Sequence, residues 1–319
     1  MKVFVTGGTG AIGGHAVPAL VAAGHDVAAL ARGPAKAEAL AQQGATPISV
    51  SIFDRAALRL AFAGQDAVVN LATAIPPGAG FLRTKTWATN DRIRSQGSAA
   101  VVGAALDAGV GRVVQESVCM LYRDHGNSWV GEDAPTDDYR IAKGNIAAES
   151  SANRFSRSGG IGVVLRFGWF YGPGARHSEQ MLTAARHHVA LVPGPSATFL
   201  SSIHMADAGT AVVAALEAPA GAFNVVDDEP LTKREYAQAL SRAAGKALCL
   251  RLPGRSAALL GDRLTSLTRS LRVSNQRFKS ATGWAPRYPS AREGWLAAAA
   301  ALAVQQRTAR PEHRVTASV

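Results

Sequence analysis

The chain has 319 residues, 47% of them hydrophobic and 18% charged, with a formal net charge of +11 at pH 7. This is an ordinary globular composition, no stretch reaches the roughly 20 apolar residues of a membrane span, and the two cysteines, Cys119 and Cys249, show no metal-ligand spacing. The basic residues are scattered without interleaved aromatics, so anionic small molecules are expected as partners rather than nucleic acid, in a reducing, cytoplasmic setting with no membrane.

Lys2-Val3-Phe4-Val5 reads as a buried parallel strand, and Thr6-Gly7-Gly8-Thr9-Gly10-Ala11-Ile12-Gly13 follows it as a glycine turn opening a helix. Gly7, Gly10 and Gly13 permit a tight turn and close backbone approach to a pyrophosphate, with Ala11 and Ile12 entering the positive end of the helix. A dinucleotide site is expected. That helix is predicted over Ala11–Ala23 with a bend at Pro18, and Gly24 ends it. The second strand, His25–Ala31, runs into Arg32, with no carboxylate where one would hold the ribose of NAD. Arg32 suits a 2′-phosphate, so NADP is preferred, NAD remaining possible.

A strand is predicted over Ala45–Phe53, a helix capped by Asp54 runs to Ala63, and Ala67–Ala72 forms the fourth strand. This alternation predicts an α/β fold with a doubly wound parallel sheet. Ligands sit at the carboxyl ends of such strands, which places Ser51, Ile52, Leu71, Ala72 and Thr73 against adenine and ribose. The Thr73–Lys85 loop is long enough for a lid or substrate loop. One helix is expected over Thr89–Ala108, then a strand over Arg112–Ser117.

Pro135 and the acidic turn after it fit a helix start, and a spacing of four would put Tyr139 and Lys143 on one helix face, one turn apart. A tyrosine ordinarily titrates near 10, and a neighbouring ammonium favours its phenolate, so the pair suits proton transfer near neutrality. Lys143 could also hold the cofactor ribose.

The glycine turn, Gln115-Glu116-Ser117 with Leu121-Tyr122, the Tyr139/Lys143 pair and Leu165–Gly174 together resemble the extended short-chain dehydrogenase/reductase superfamily, the NAD(P)-dependent epimerase/dehydratase group. Ser202–Ala208 and Thr282–Arg287 resemble later landmarks of that group. The resemblance implies a Rossmann fold with a smaller C-terminal substrate lobe and a homodimer. It also implies a tyrosine that exchanges a proton with a substrate hydroxyl or carbonyl, a lysine on the ribose, and a Ser or Thr polarising the same oxygen. Counted back from Tyr122, the position for that hydroxyl is Val118, and Ser117 sits one residue early. Either the strand end is bulged so that Ser117 reaches the site, or Cys119 or a water replaces it, or the third group is absent; Ser117 is the candidate. Phe167 and Trp169 would stand beside the nicotinamide, where many members carry a Pro and an Asn, and Trp169 suggests a substrate less polar than a sugar nucleotide.

Beyond Gly174 the chain is expected to leave the sheet. Adjacent His187 and His188 point to different faces of a predicted helix, so no metal site is expected. Strands over 199–203 and 222–226, the second returning to the sheet, precede helices over 232–244 and 259–271. In the last of these, Leu260, Leu264, Leu267 and Leu271 form an apolar stripe, and the arginines between 251 and 277 form a solvated face. The expected division is a nucleotide domain over 1–172 joined by 198–228, a substrate lobe over 173–197 and 229–305, and a flexible tail over 306–319. The expected activity is hydride transfer between NADP and a small hydroxyl or carbonyl compound, by net redox or epimerisation, with Tyr139 as general acid/base. The alternative is a non-catalytic NADP-binding sensor on the same fold.

Overall fold

A computed structural model describes residues 1–76, 80, 83–139, 142–190, 192–247, 250–251 and 265–308. Seven strands form one parallel sheet: β1 (Lys2–Thr6), β2 (Asp26–Leu30), β3 (Thr46–Ile48), β4 (Ala67–Asn70), β5 (Arg112–Val118), β6 (Ile161–Phe167) and β7 (Gly221–Val225). Their order is β7-β6-β5-β4-β1-β2-β3, the doubly wound arrangement expected of the sequence. The third strand is shorter than the predicted one, since only Thr46–Ile48 pair with β2.

Both faces of the sheet are covered, which is why the strands read as continuous apolar runs. Helices α1 (Gly13–Ala22) and α2 (Pro34–Gln42) pack on one face with α8 (Met205–Ala214), through Val3, Val5, Val17, Leu20, Leu40 and Val212. On the other face Phe4, Val68 and Val113 meet Leu58 of α3 (Arg55–Ala61), Val101 and Val102 of α5 (Ser98–Asp107) and Phe155 of α6 (Lys143–Arg157). Asp54 caps α3 as expected, accepting from the Ala57 N–H at 3.0 Å. Pro18 lies inside an uninterrupted α1.

The helix expected over 89–108 is divided. A short α4 (Ala88–Arg92) runs into a wide π turn over Ile93–Gly97 before α5 begins. The turn carries the Arg94 side chain inward, where both it and Glu116 are 2% exposed and pair at 2.7 Å. Such insertions often sit beside functional sites.

A second apolar cluster lies over the carboxyl end of the sheet, among α7 (Arg176–Arg186), α9 (Lys233–Ala243) and α12 (Ala291–Thr308), with Tyr171, Tyr236 and Trp295 at its centre. Thr232 and Glu235 form a reciprocal capping box at the start of α9. The short α10 (Thr265–Thr268) and α11 (Gln276–Thr282) complete the described helices. Leu260, Leu264, Arg255 and Arg263 lie outside the described residues, as does the tail from 309. Three other arginines of that stretch have partners, Arg277 while still half exposed. Arg269 pairs with Asp137, Arg277 with Asp133, and Arg272 lies over the rings of Trp129 and Phe199. His187 and His188 are exposed, and no cluster of potential metal ligands occurs among the described residues. Among these residues, too, no helix is long and apolar enough to cross a membrane.

His204 joins the two clusters. Its Nδ1 accepts the Ala206 N–H at 3.2 Å, capping α8, and its ring packs against Tyr171 and Tyr288. Burial, with His15 and Arg287 nearby, lowers its pKa from 6.5 to about 4. The unfolded chain therefore binds a proton that the folded chain refuses between these values. The stabilising contribution is complete above pH 6.5 and is lost as pH falls toward 4, on the order of 3 kcal/mol. The buried Asp227 carboxyl, raised by its own burial, acts with the opposite sign. The measurement is thus a signed difference: the stability lost between pH 7 and pH 4.5, read from urea midpoints, should be smaller in His204→Gln than in the parent, or turn into a gain, and an equal loss would refute this role.

Candidate active site

At the carboxyl end of β1 the chain turns sharply into α1. The Gly10 N–H donates to the Gly7 carbonyl at 2.8 Å, and Gly7 has φ +73°. A Cβ at Gly7 would lie 2.6 Å from the backbone of Leu71, and one at Gly13 would collide with the Gly7 carbonyl. The turn is thus sealed against β4 on one side and against its own helix on the other, with the amino end of α1 opening onto a cleft. That cleft encloses about 980 Å³, part of it open to solvent.

Gly7, Gly10, Ala11, Ile12, Arg32, Ile52, Leu71, Ala72 and Thr73, all singled out from the sequence, line it together. A glycine cradle at a helix amino end, apolar walls and cations at the tip of β2 fit a dinucleotide. Ser51 is not in the wall: it is exposed, and its hydroxyl accepts the Phe53 N–H at 3.3 Å, closing a local turn. Phe167 is fully buried in the sheet core and does not line the cleft. Residues missed from sequence include Thr9, Lys36, Ile93, Glu116 and Phe170. Lys36 was findable, because it falls in the first turn of α2, four residues past Arg32.

Tyr139 and Lys143 do not share a helix face, because α6 begins only at Lys143. The Ala142 N–H donates to the Tyr139 carbonyl at 2.8 Å, so Tyr139 precedes the helix in a turn. Its hydroxyl donates to the Met120 carbonyl at 3.0 Å, and the Arg269 guanidinium lies 4.7 Å from its ring centroid. Lys143 is exposed at the first position of α6.

Ser117 is fully buried and its hydroxyl donates to Glu149 Oε1 at 2.6 Å. Strand residues alternate sides, so Glu116 faces the cleft while Ser117 faces α6. No bulge turns the Ser117 hydroxyl round, since β5 pairs with β6 residue for residue from Arg112 to Val118. Glu149 in turn holds Arg166 through two hydrogen bonds of 2.9 and 2.7 Å, and Arg166 donates to the Tyr122 hydroxyl at 2.8 Å. Cys119, the other candidate for that place, is buried, and its thiol donates to the Arg166 carbonyl at 3.0 Å.

A second cavity, with about 510 Å³ of empty space part of which is open to solvent, is lined in part by Met120 and Arg269, the two residues that Tyr139 contacts. Trp169 lines this cavity rather than the cleft at the glycine turn, with Met181, Phe199 and Leu200. Its one ammonium belongs to Lys233, 1% exposed, whose pKa burial lowers to about 8 against the opposing influence of Asp124.

Comparison with known proteins agrees with this arrangement. The model of the NAD dependent epimerase/dehydratase family matches residues 3–225. A 3-diazoavenalumate denitrifying reductase from a Streptomyces species is 34% identical over 311 residues, covering 92% of this chain and 99% of that protein. Among solved structures, human epimerase family protein SDR39U1 with NADPH superposes with a TM-score of 0.78 at 24% identity, covering 94% of this chain and 99% of that one. The dTDP-glucose 4,6-dehydratase DesIV of Streptomyces venezuelae with NAD gives 0.78 at 20% identity, covering 97% and 98%. The structural matches speak to the fold, and the family model and the nearly full-length reductase relative to descent. The chain belongs to the NAD-dependent epimerase/dehydratase family, and is an NAD(P)-dependent enzyme of the short-chain dehydrogenase/reductase type.

Proposed function

We propose that this chain is an NADPH-preferring reductase of a small, largely apolar compound. The observation that carries the cofactor preference is the wall of the cleft at the tip of β2, where Arg32 and Lys36 stand together. When bound, the nicotinamide nucleotide supplies the hydride. The glycine turn and the amino end of α1 hold its pyrophosphate, Arg32 and Lys36 its 2′-phosphate, and Lys143 its ribose. Tyr139 moves the proton: its hydroxyl rests on the carbonyl of Met120, a residue of the cavity in which Trp169 forms an apolar wall. That wall suits a substrate other than a sugar nucleotide and favours net reduction over epimerisation of one.

The burial of Ser117 and the Val118 side chain at the implied hydroxyl position support a second reading. The reductase relative is named for denitrifying a diazo compound. An arenediazonium group is already electrophilic and departs as dinitrogen when hydride replaces it, so no hydroxyl has to polarise a substrate oxygen.

One variant separates the two. With a carbonyl substrate, Tyr139→Phe should lower turnover 10²-fold or more while NADPH affinity holds, as expected for loss of a general acid. With an arenediazonium salt the same variant should oxidise NADPH at close to the parent rate. Turnover of neither class by the parent protein would refute both readings.

A further inference from the structure

Lys233 is the first residue of α9, and its side chain runs inward to the cavity beside Tyr139. Two backbone carbonyls fix its ammonium, Leu267 at 2.7 Å and Arg269 at 3.2 Å. An ammonium has three N–H groups, so the two acceptors among the described residues leave one for a ligand. The neighbouring Gly194, at φ +100°, makes room for it, since a Cβ there would come within 2.5 Å of Nζ. Among the described residues no carboxylate lies within ion-pair distance of Lys233. The other cation in the wall, Arg269, is matched by Asp137 and also donates to the Tyr122 carbonyl at 2.6 Å.

A buried ammonium whose only opposing charge, Asp124, lies beyond ion-pair distance is costly, and the natural remedy is an anion from outside. The surroundings say which kind. Trp169, Met181, Phe199, Leu200 and Leu271 make the walls apolar, and the Trp169 indole N–H has no hydrogen-bond partner. A phosphate group would bring three oxygens and up to two charges to a single spare ammonium proton. A carboxylate brings one charge. The roughly 510 Å³ of empty space here includes open solvent, so the body of a ligand held on Lys233 would be only partly enclosed.

From this we infer that the second cavity is the seat of an apolar, planar carboxylic acid, its carboxylate on Lys233 and its hydrocarbon body against Trp169, Phe199 and Leu200. The inference builds on the reductase reading, since it names the class of compound presented to Tyr139. Lys233 acts here as a specificity-determining residue, touching the substrate away from the reacting atoms. Its two backbone bonds would serve a purely structural clamp equally well, so the test turns on charge recognition.

The experiment titrates the full-length, NADP⁺-saturated protein with 2-naphthoate and cinnamate, each against its primary amide, following heat of binding. Each acid should bind at least tenfold more tightly than its amide at pH 7. Lys233→Met should abolish that preference without altering NADP⁺ affinity, Lys233→Arg should retain part of it, and inorganic phosphate should not displace the acids. Equal binding of acid and amide, a preference that survives in Lys233→Met, displacement by phosphate, or no binding of either acid would each overturn the inference. The parent acid–amide comparison decides the matter even where a variant fails to fold. NADP⁺ affinity, measured first, is a separate outcome: its absence would count against the reductase reading while leaving the acid preference readable.

Discussion

Glu149→Gln should cost the fold about 3–5 kcal/mol, the expected effect of stripping one member from a buried ion pair. Arg166 and Glu149 are nearly buried, with side chains 9% and 11% exposed, and they meet through two parallel hydrogen bonds. Burial opposes the charge on Arg166, yet the bonds and charge of Glu149 more than offset it, so the guanidinium is held above its ordinary pKa. The pair is also the hub of a network. Ser117 on β5 donates to Glu149, Arg166 on β6 donates to Tyr122, and Tyr122 donates to Asn224 on β7 at 2.7 Å. A neutral amide at 149 leaves the cation in place and withdraws its partner. Urea unfolding should therefore show a lowered midpoint with an unchanged slope. Replacing both members by apolar residues, Glu149→Leu with Arg166→Met, should cost less than Glu149→Gln alone. The same network makes a sharp statement about Ser117. Its loss in Ser117→Ala should remove one charge-assisted bond, about 1–3 kcal/mol, and change turnover only several-fold. A 10²-fold loss of turnover with stability intact would put Ser117 back into the chemistry.

The misplacement of Ser117 shows where reading the sequence stops. Strand alternation already separates Glu116 and Val118 from Ser117, so the side on which each stands follows from period two once one neighbour is fixed. What the sequence lacks is the neighbour. Glu149 and Arg166 are 32 and 49 residues further on, and nothing local says that they converge on β5. The glycine turn was legible because its constraint is local: Gly7 and Gly13 have no room for a Cβ, and the strand, turn and helix they join are contiguous. The stretch of cleft wall formed by Leu71, Ala72 and Thr73 was legible for the same reason, as residues just past β4 must sit at the carboxyl edge of the sheet. The break in the helix over 89–108 was not, because the π turn is tied to burying Arg94 against Glu116, a contact across 22 residues. Nor was the late start of α6, where acidic residues that look like a helix start serve elsewhere: Asp137 is taken by Arg269, 132 residues away. Lys233 falls at the start of the helix predicted over 232–244, and only the fold of 193–195 and 267–269 around it makes it a buried cation.

NADPH should bind about 10²-fold more tightly than NADH, and Arg32→Ala with Lys36→Ala should erase the difference by weakening NADPH alone. The preference originates at the tip of β2. A carboxylate there would accept hydrogen bonds from a ribose and repel a 2′-phosphate, whereas Arg32 presents a fork of donors that matches phosphate oxygens. Lys36 adds a second cation from the first turn of α2, in the wall of the same cleft. Two charge-assisted contacts at a partly solvated site supply roughly 3 kcal/mol between them, and each 1.4 kcal/mol is tenfold in affinity. Because Arg32 is exposed, the preference should shrink as salt rises from 20 to 500 mM, while NADH affinity stays nearly constant. The two substitutions should also be unequal: Arg32→Ala loses a bidentate partner and Lys36→Ala a point charge, so the arginine variant should lose more. Nicotinamide fluorescence titrations of the parent and three variants with both nucleotides measure all of this. Equal affinity of the parent for NADH and NADPH would remove the basis for an NADPH-preferring enzyme, and retention of the preference in the double variant would place its source elsewhere in the cleft.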